Sequence, residues 1–84
     1  MRTFDNDEIG YLQWVNANPQ GFVINAPKGG GTVMLHKADC KDITTRFKNY
    51  TTTAYEKRCS LDKQELVAWG FGQSNMKFCE HCNP

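Results

Sequence analysis

Apolar residues recur at helical spacing near the start of the chain: Ile9, Leu12 and Val15, with Tyr11 and Trp14 widening the stripe. This pattern predicts an amphipathic helix over 7–18. Asp7 stands where an N-cap is wanted, and Glu8 in the first turn complements the helix dipole. Pro19 ends the helix by driving Asn18 out of helical geometry. Gly10 opposes it by about 1 kcal/mol.

The apolar pattern then tightens. Residues 21–26 (Gly-Phe-Val-Ile-Asn-Ala) and 32–36 (Thr-Val-Met-Leu-His) read as two strands. The glycines at 29–31 make a turn of free φ between them, so the pair closes as an antiparallel hairpin. Val23 adjoins Ile24, and Val33, Met34 and Leu35 are consecutive, which predicts strands covered on both faces. Residues 51–59, rich in Thr and Tyr, read as a third strand. Ser60 is the expected N-cap of a second helix, with Leu61, Leu66, Val67 and Trp69 on its apolar face and Gly70 at its C-cap. A helical turn is expected within 37–43, and loops over 44–50 and 72–75. The expected architecture is α+β: a small, mainly antiparallel sheet of about three strands with two helices, in one domain spanning 1–84.

Composition agrees with a packed core and adds one demand. The chain has 84 residues, 39% hydrophobic and 12% aromatic, enough to argue against disorder. Domains this small often recruit a metal, disulfides or a partner for stability. The formal charge of +1 excludes a dedicated basic arm or an acidic tail. No apolar run approaches the ~20 residues needed to span a bilayer, so no membrane association is expected. The segment Met1 to Glu8 lacks the apolar stretch of a secretion signal, which predicts a cytoplasmic location. In a reducing compartment, four cysteines point to metal or redox chemistry rather than to structural disulfides.

Cys79-x-x-Cys82 is the sharpest local signal, because two thiolates at that spacing can turn toward one ion. Zn2+ wants about four N/S ligands in a tetrahedron. His36-x-x-x-Cys40, at a strand end and across a tight turn, supplies the missing pair. The candidate metal ligands are therefore His36, Cys40, Cys79 and Cys82, tying the hairpin to the C-terminal residues. Cys59 is the substitute ligand in an all-cysteine alternative. Its plainer reading is a small buried hydrophobe. A metal-free domain is the remaining alternative, and His81 is expected to point to solvent.

The run Val33-Met34-Leu35-His36-Lys37-Ala38-Asp39-Cys40, the run from Cys59 and Ser60 to Gly70, and the closing Phe78-Cys79-Glu80-His81-Cys82-Asn83-Pro84 occur in one order. Together they resemble the small zinc-binding domains related to the metal-binding domain of Ada, over about residues 32–84. The helix at 7–18 lies outside the resemblance. The resemblance implies a small α/β zinc domain and suggests DNA as a partner. It does not imply the methyl-transfer repair of Ada itself. The repair pattern has a cysteine at the first ligand position, and this chain has His36, whose neutral imidazole is a poor methyl acceptor beside a thiolate.

Charge is unevenly placed. Residues 28–58 hold Lys28, Lys37, Lys41, Arg46, Lys48, Lys57 and Arg58 against Asp39, Asp42 and Glu56, a local excess of four. This predicts at most weak, salt-sensitive nucleic-acid contact, against the plainer reading of an ordinary solvated surface. The leading expectation is a structural-zinc binding module without enzymatic activity, with DNA or another protein as partner. The alternative is a thiol–disulfide oxidoreductase using Cys79 and Cys82. That alternative is weakened because the pair stands too close to residue 84 to head a helix. The triple glycine lacks the lysine and following helix of a phosphate-binding loop.

Overall fold

The computed structural model describes residues 1–44 and 49–84. Its elements, in chain order, are β1 (Arg2–Phe4), α1 (Glu8–Ala17), β2 (Phe22–Pro27), β3 (Thr32–Lys37), α2 (Lys41–Thr44), β4 (Tyr55–Ser60), α3 (Lys63–Phe71) and β5 (Asn75–Phe78). The fold is α+β, with a five-stranded sheet in the order β1-β4-β2-β3-β5. β1–β4, β4–β2 and β2–β3 pair antiparallel, and β3–β5 pairs parallel, so the sheet is mixed. The expected hairpin is β2–β3. Gly30 (φ 87°) and Gly31 (φ 128°) supply the left-handed turn that a side chain would strain.

Two of the five strands carry little hydrophobic signal, which corrects the expected three. β1 buries only Phe4, and β5 has no fully buried residue, Met76 alone being partly buried against the core. Each edge strand is held by main-chain pairing and a single apolar anchor, Phe4 in β1 and Met76 in β5. A third helix, α2, occupies the expected helical turn after Cys40.

Adjacent strand residues feed opposite faces, as their unbroken apolar runs require. Val23 and Cys59 pack with Phe4, Tyr11 and Val15 under α1. Ile24, Ala26, Val33 and Leu35 pack with Leu66 of α3 on the other face. Fully burying an aliphatic side chain of this size contributes about 1.5–3 kcal/mol. The inner stripe of α1 is Tyr11 and Val15, four residues apart, and Ile9 is exposed. Tyr11 also donates its hydroxyl to the Ile43 carbonyl at 2.7 Å, fastening α1 to α2.

Other expected boundaries move for identifiable reasons. The Thr51 hydroxyl accepts from the Asp7 amide at 2.8 Å, and the Thr51 carbonyl accepts from the Asn6 amide at 2.7 Å. These bonds hold Thr51 in a turn at the entry to α1, so β4 begins only at Tyr55. Ser60 is still paired with Phe22 in the sheet and cannot cap α3. Asp62 caps it instead, accepting from the Gln64 amide at 3.0 Å. Leu61 is consequently exposed. Gly70 lies inside α3, and the C-cap is Gly72. A Cβ at Gly70 would collide with the Met76 thioether, so its absence lets β5 lie against the helix. Part of the loop expected over 44–50 falls on residues 45–48, outside the described residues.

Candidate metal centre

The end of β3 and the end of β5 are neighbours because Leu35 pairs with Phe78 in the parallel ladder. The Cys79 amide extends that ladder by donating to the Leu35 carbonyl at 2.9 Å. His36 and Cys79 therefore emerge side by side. Cys40 returns to them over a tight turn, in which its amide donates to the Lys37 carbonyl at 3.0 Å. The Ala38 amide anchors the same turn on the Gly21 carbonyl at 2.9 Å. A second turn carries the chain from Cys79 to Cys82, with the Asn83 amide donating to the Cys79 carbonyl at 3.1 Å. Asn83 takes a left-handed φ of 51°, a conformation asparagine tolerates well.

These connections gather a ring nitrogen of His36 and the Sγ atoms of Cys40, Cys79 and Cys82, all within 4.8 Å of one another. Cys40 Sγ and Cys79 Sγ are 4.0 Å apart. A tetrahedral ion with Zn–S bonds of 2.3 Å needs thiolates roughly 3.8 Å apart. The Lys37 amide donates to Cys82 Sγ at 3.2 Å, the kind of N–H···S bond that stabilises a thiolate ligand. His36, Cys40 and Cys79 are buried, and Cys82 is partly exposed. All four cysteines are free thiols.

The electrostatics match a cation. His36 Nδ1 is buried and has no hydrogen-bond partner. Leaving such a group unsatisfied costs about 1–3 kcal/mol, a penalty that an ion bound at Nδ1 would remove. Burial holds the His36 imidazole below its ordinary pKa and keeps it neutral, the form that ligates metal. Burial also pushes the Cys40 thiol up to about 12, with the neighbouring sulfurs adding to the effect. A cation at the centre of the four atoms would reverse that effect by displacing the protons. The donor set of three sulfurs and one nitrogen therefore fits a zinc-like ion.

Cys59 is not part of this group. Across the sheet Cys59 pairs with Val23, and Val23 pairs with His36, so Val23 stands between them. Two strand spacings put them about 10 Å apart. Cys59 is fully buried, its thiol pushed up to about 12 chiefly by burial. That is the behaviour of a small core hydrophobe.

A residue that spacing does not single out, Asp42 of α2, borders the centre. Asp42 Oδ2 accepts from the Cys79 thiol at 3.7 Å and is 2.6 Å from His81 Nδ1. The bond to His81 holds the Asp42 carboxyl below its usual range and raises the His81 imidazole. His81 points to solvent, yet it is partnered. Only the folding of α2 against the C-terminal turn reveals the pair.

The basic residues meet different fates. Lys57 is buried, donating to Asn25 Oδ1 at 2.6 Å and to the Tyr50 carbonyl at 2.8 Å. Burial lowers its pKa to about 8. A side chain so enclosed is not presented to a phosphate backbone, which corrects its place among the candidate nucleic-acid residues. Lys28 pairs with Asp5 at 2.6 Å and donates to the Thr51 carbonyl at 2.9 Å. Arg58 lies over the Trp69 ring at 4.2 Å and 3.6 Å from Glu56. Lys37 and Lys41 line an open cleft of about 520 Å³ beside Cys40 and Cys82. Arg46 and Lys48 lie outside the described residues.

Among the described residues, no helix is long and apolar enough to cross a membrane. No protein-family model, no curated protein and no solved structure matches the chain. The α+β fold and the Cys/His group thus define the class directly: a small domain with a cluster able to hold a metal ion.

Proposed function

We propose that the chain is a zinc-dependent binding module in which His36, Cys40, Cys79 and Cys82 hold one structural ion. The observation that carries this reading is the convergence of four N/S donor atoms within 4.8 Å, from segments far apart in sequence. Zinc suits three sulfurs and one nitrogen, and four protein ligands leave that ion no position for a substrate. The ion's work is mechanical: it locks the last turn of the chain to the end of β3. This supports a binding role rather than catalysis.

The resemblance to the metal-binding domain of Ada favours DNA as the partner, with another protein as the alternative. Lys37 and Lys41 border the metal centre, and Arg46 and Lys48 follow closely in sequence. Lys28, Lys57 and Arg58 are engaged in internal contacts. The contact is therefore weak and lost at moderate salt. His36 at the first ligand position argues against methyl transfer. Cys79 and Cys82 head no helix that would activate them, which disfavours the oxidoreductase reading.

Elemental analysis of protein purified without chelator tests the metal, and low-salt titration with duplex and single-stranded DNA tests the partner. Zinc in the protein with DNA binding that falls as salt rises supports both. Metal-free protein overturns the module. Zinc without any DNA binding overturns the DNA partner. Zinc-free reduction of insulin would install the oxidoreductase instead.

A further inference from the structure

We propose that Asp42, Cys79 and His81 form a second, solvent-open cation site that shares the Cys79 sulfur with the four-ligand centre. The proposal rests on the metal reading of that centre. The three ligand atoms lie within 4.8 Å of one another. Asp42 Oδ2 sits between the other two, 3.7 Å from Cys79 Sγ and 2.6 Å from His81 Nδ1.

The donor atoms there are of the kind a cation takes. The Cys79 thiol donates to Asp42 Oδ2, and the same carboxylate pairs with His81, so sulfur, oxygen and nitrogen donors converge at one edge of the first centre. A thiolate sulfur has lone pairs for two ions at once, and imidazole and carboxylate complete a set that suits zinc.

The two sites differ in access. In the first, three of the four ligand residues are buried, whereas His81 and Asp42 are 78% and 44% exposed at their side chains. The His81 side chain is largely exposed, and joint coordination of an ion would replace its short contact with Asp42. Three protein ligands leave a position open to water on the side of a cleft of about 270 Å³, which Glu80 also lines. An ion held there exchanges with solution, while the buried one does not.

The test is native mass spectrometry of the whole chain titrated with Zn2+, repeated with Co2+ and read by absorption. Asp42→Asn and His81→Gln are the variants, both at exposed positions outside the first centre. The expected result is two ions per chain in the wild type, the second lost on mild dialysis. Each variant then holds one ion, with its sulfur-to-cobalt charge-transfer bands retained. Saturation of the wild type at one ion overturns the second site and leaves the first standing. Two ions retained by both variants also overturn it. A wild type that binds no ion overturns the four-ligand centre and this proposal with it.

Discussion

The sulfurs of Cys40 and Cys79 lie 4.0 Å apart although the two residues are 39 positions apart along the chain. Nothing covalent joins them, and both residues are buried. Two buried thiols facing one another gain little by themselves, so the arrangement is best explained by what they hold together. Cys40→Ser and Cys79→Ser are each expected to abolish zinc retention and to release the C-terminal turn. Structural zinc contributes about 10–16 kcal/mol of apparent binding free energy near neutral pH. Hydrogen exchange of the amides at 76–83 should accelerate in both variants, and elemental analysis should find them metal-poor.

Cys59 provides the control. It lies on the same sheet face as His36, but Val23 stands between them. Cys59→Ala is expected to keep full zinc content and to lose about 1 kcal/mol through a small core void. Denaturant unfolding together with metal analysis checks both parts. Lost zinc would place Cys59 among the ligands.

Lys57 gives the fold a pH dependence separate from the metal. Burial lowers its pKa from 10.5 to about 8 in the folded chain. Between these values the unfolded chain binds more protons than the folded one, so this group makes stability rise with pH from about 8 towards 10.5. Lys57→Met removes this contribution. The stability difference between wild type and variant, measured by urea unfolding from pH 7.5 to 9, should shift toward the wild type as pH rises. The slope should approach about 1.4 kcal/mol per pH unit at most.

Gly70 and Met76 couple α3 to the edge strand that leads into the metal centre. A methyl group at position 70 would strike the Met76 side chain. Gly70→Ala should cost about 1–3 kcal/mol by overpacking, against a helix-propensity gain of about 1 kcal/mol. The double variant with Met76→Ala should lose less than the sum of the two single losses, as contacting residues do. Thermal unfolding of the four proteins in the cycle measures the coupling.

What the sequence discloses follows burial. The hairpin and α1 bury apolar residues at recognisable spacings, and the candidate ligand pairs sit at short fixed spacings. The sequence therefore shows these features. β1 and β5 are held by backbone pairing and by one apolar residue each, Phe4 and Met76, so they have no periodicity to read. The threonines before Tyr55 carry strand propensity, but the hydroxyl of Thr51 serves the turn beside α1. Ser60 is a good cap by type, and only the sheet register shows that its backbone is already paired. Asp42 and Lys57 were the most hidden. One comes to border the candidate metal centre and the other leaves the surface, both through tertiary packing alone.

The most direct test of the central claim is native mass spectrometry of the full chain, purified under reducing conditions without chelator. The account predicts a mass raised by bound zinc, with all four thiols recovered as free cysteines after the metal is stripped. A metal-free mass that added zinc does not change, with thermal stability equally indifferent to zinc, would contradict it.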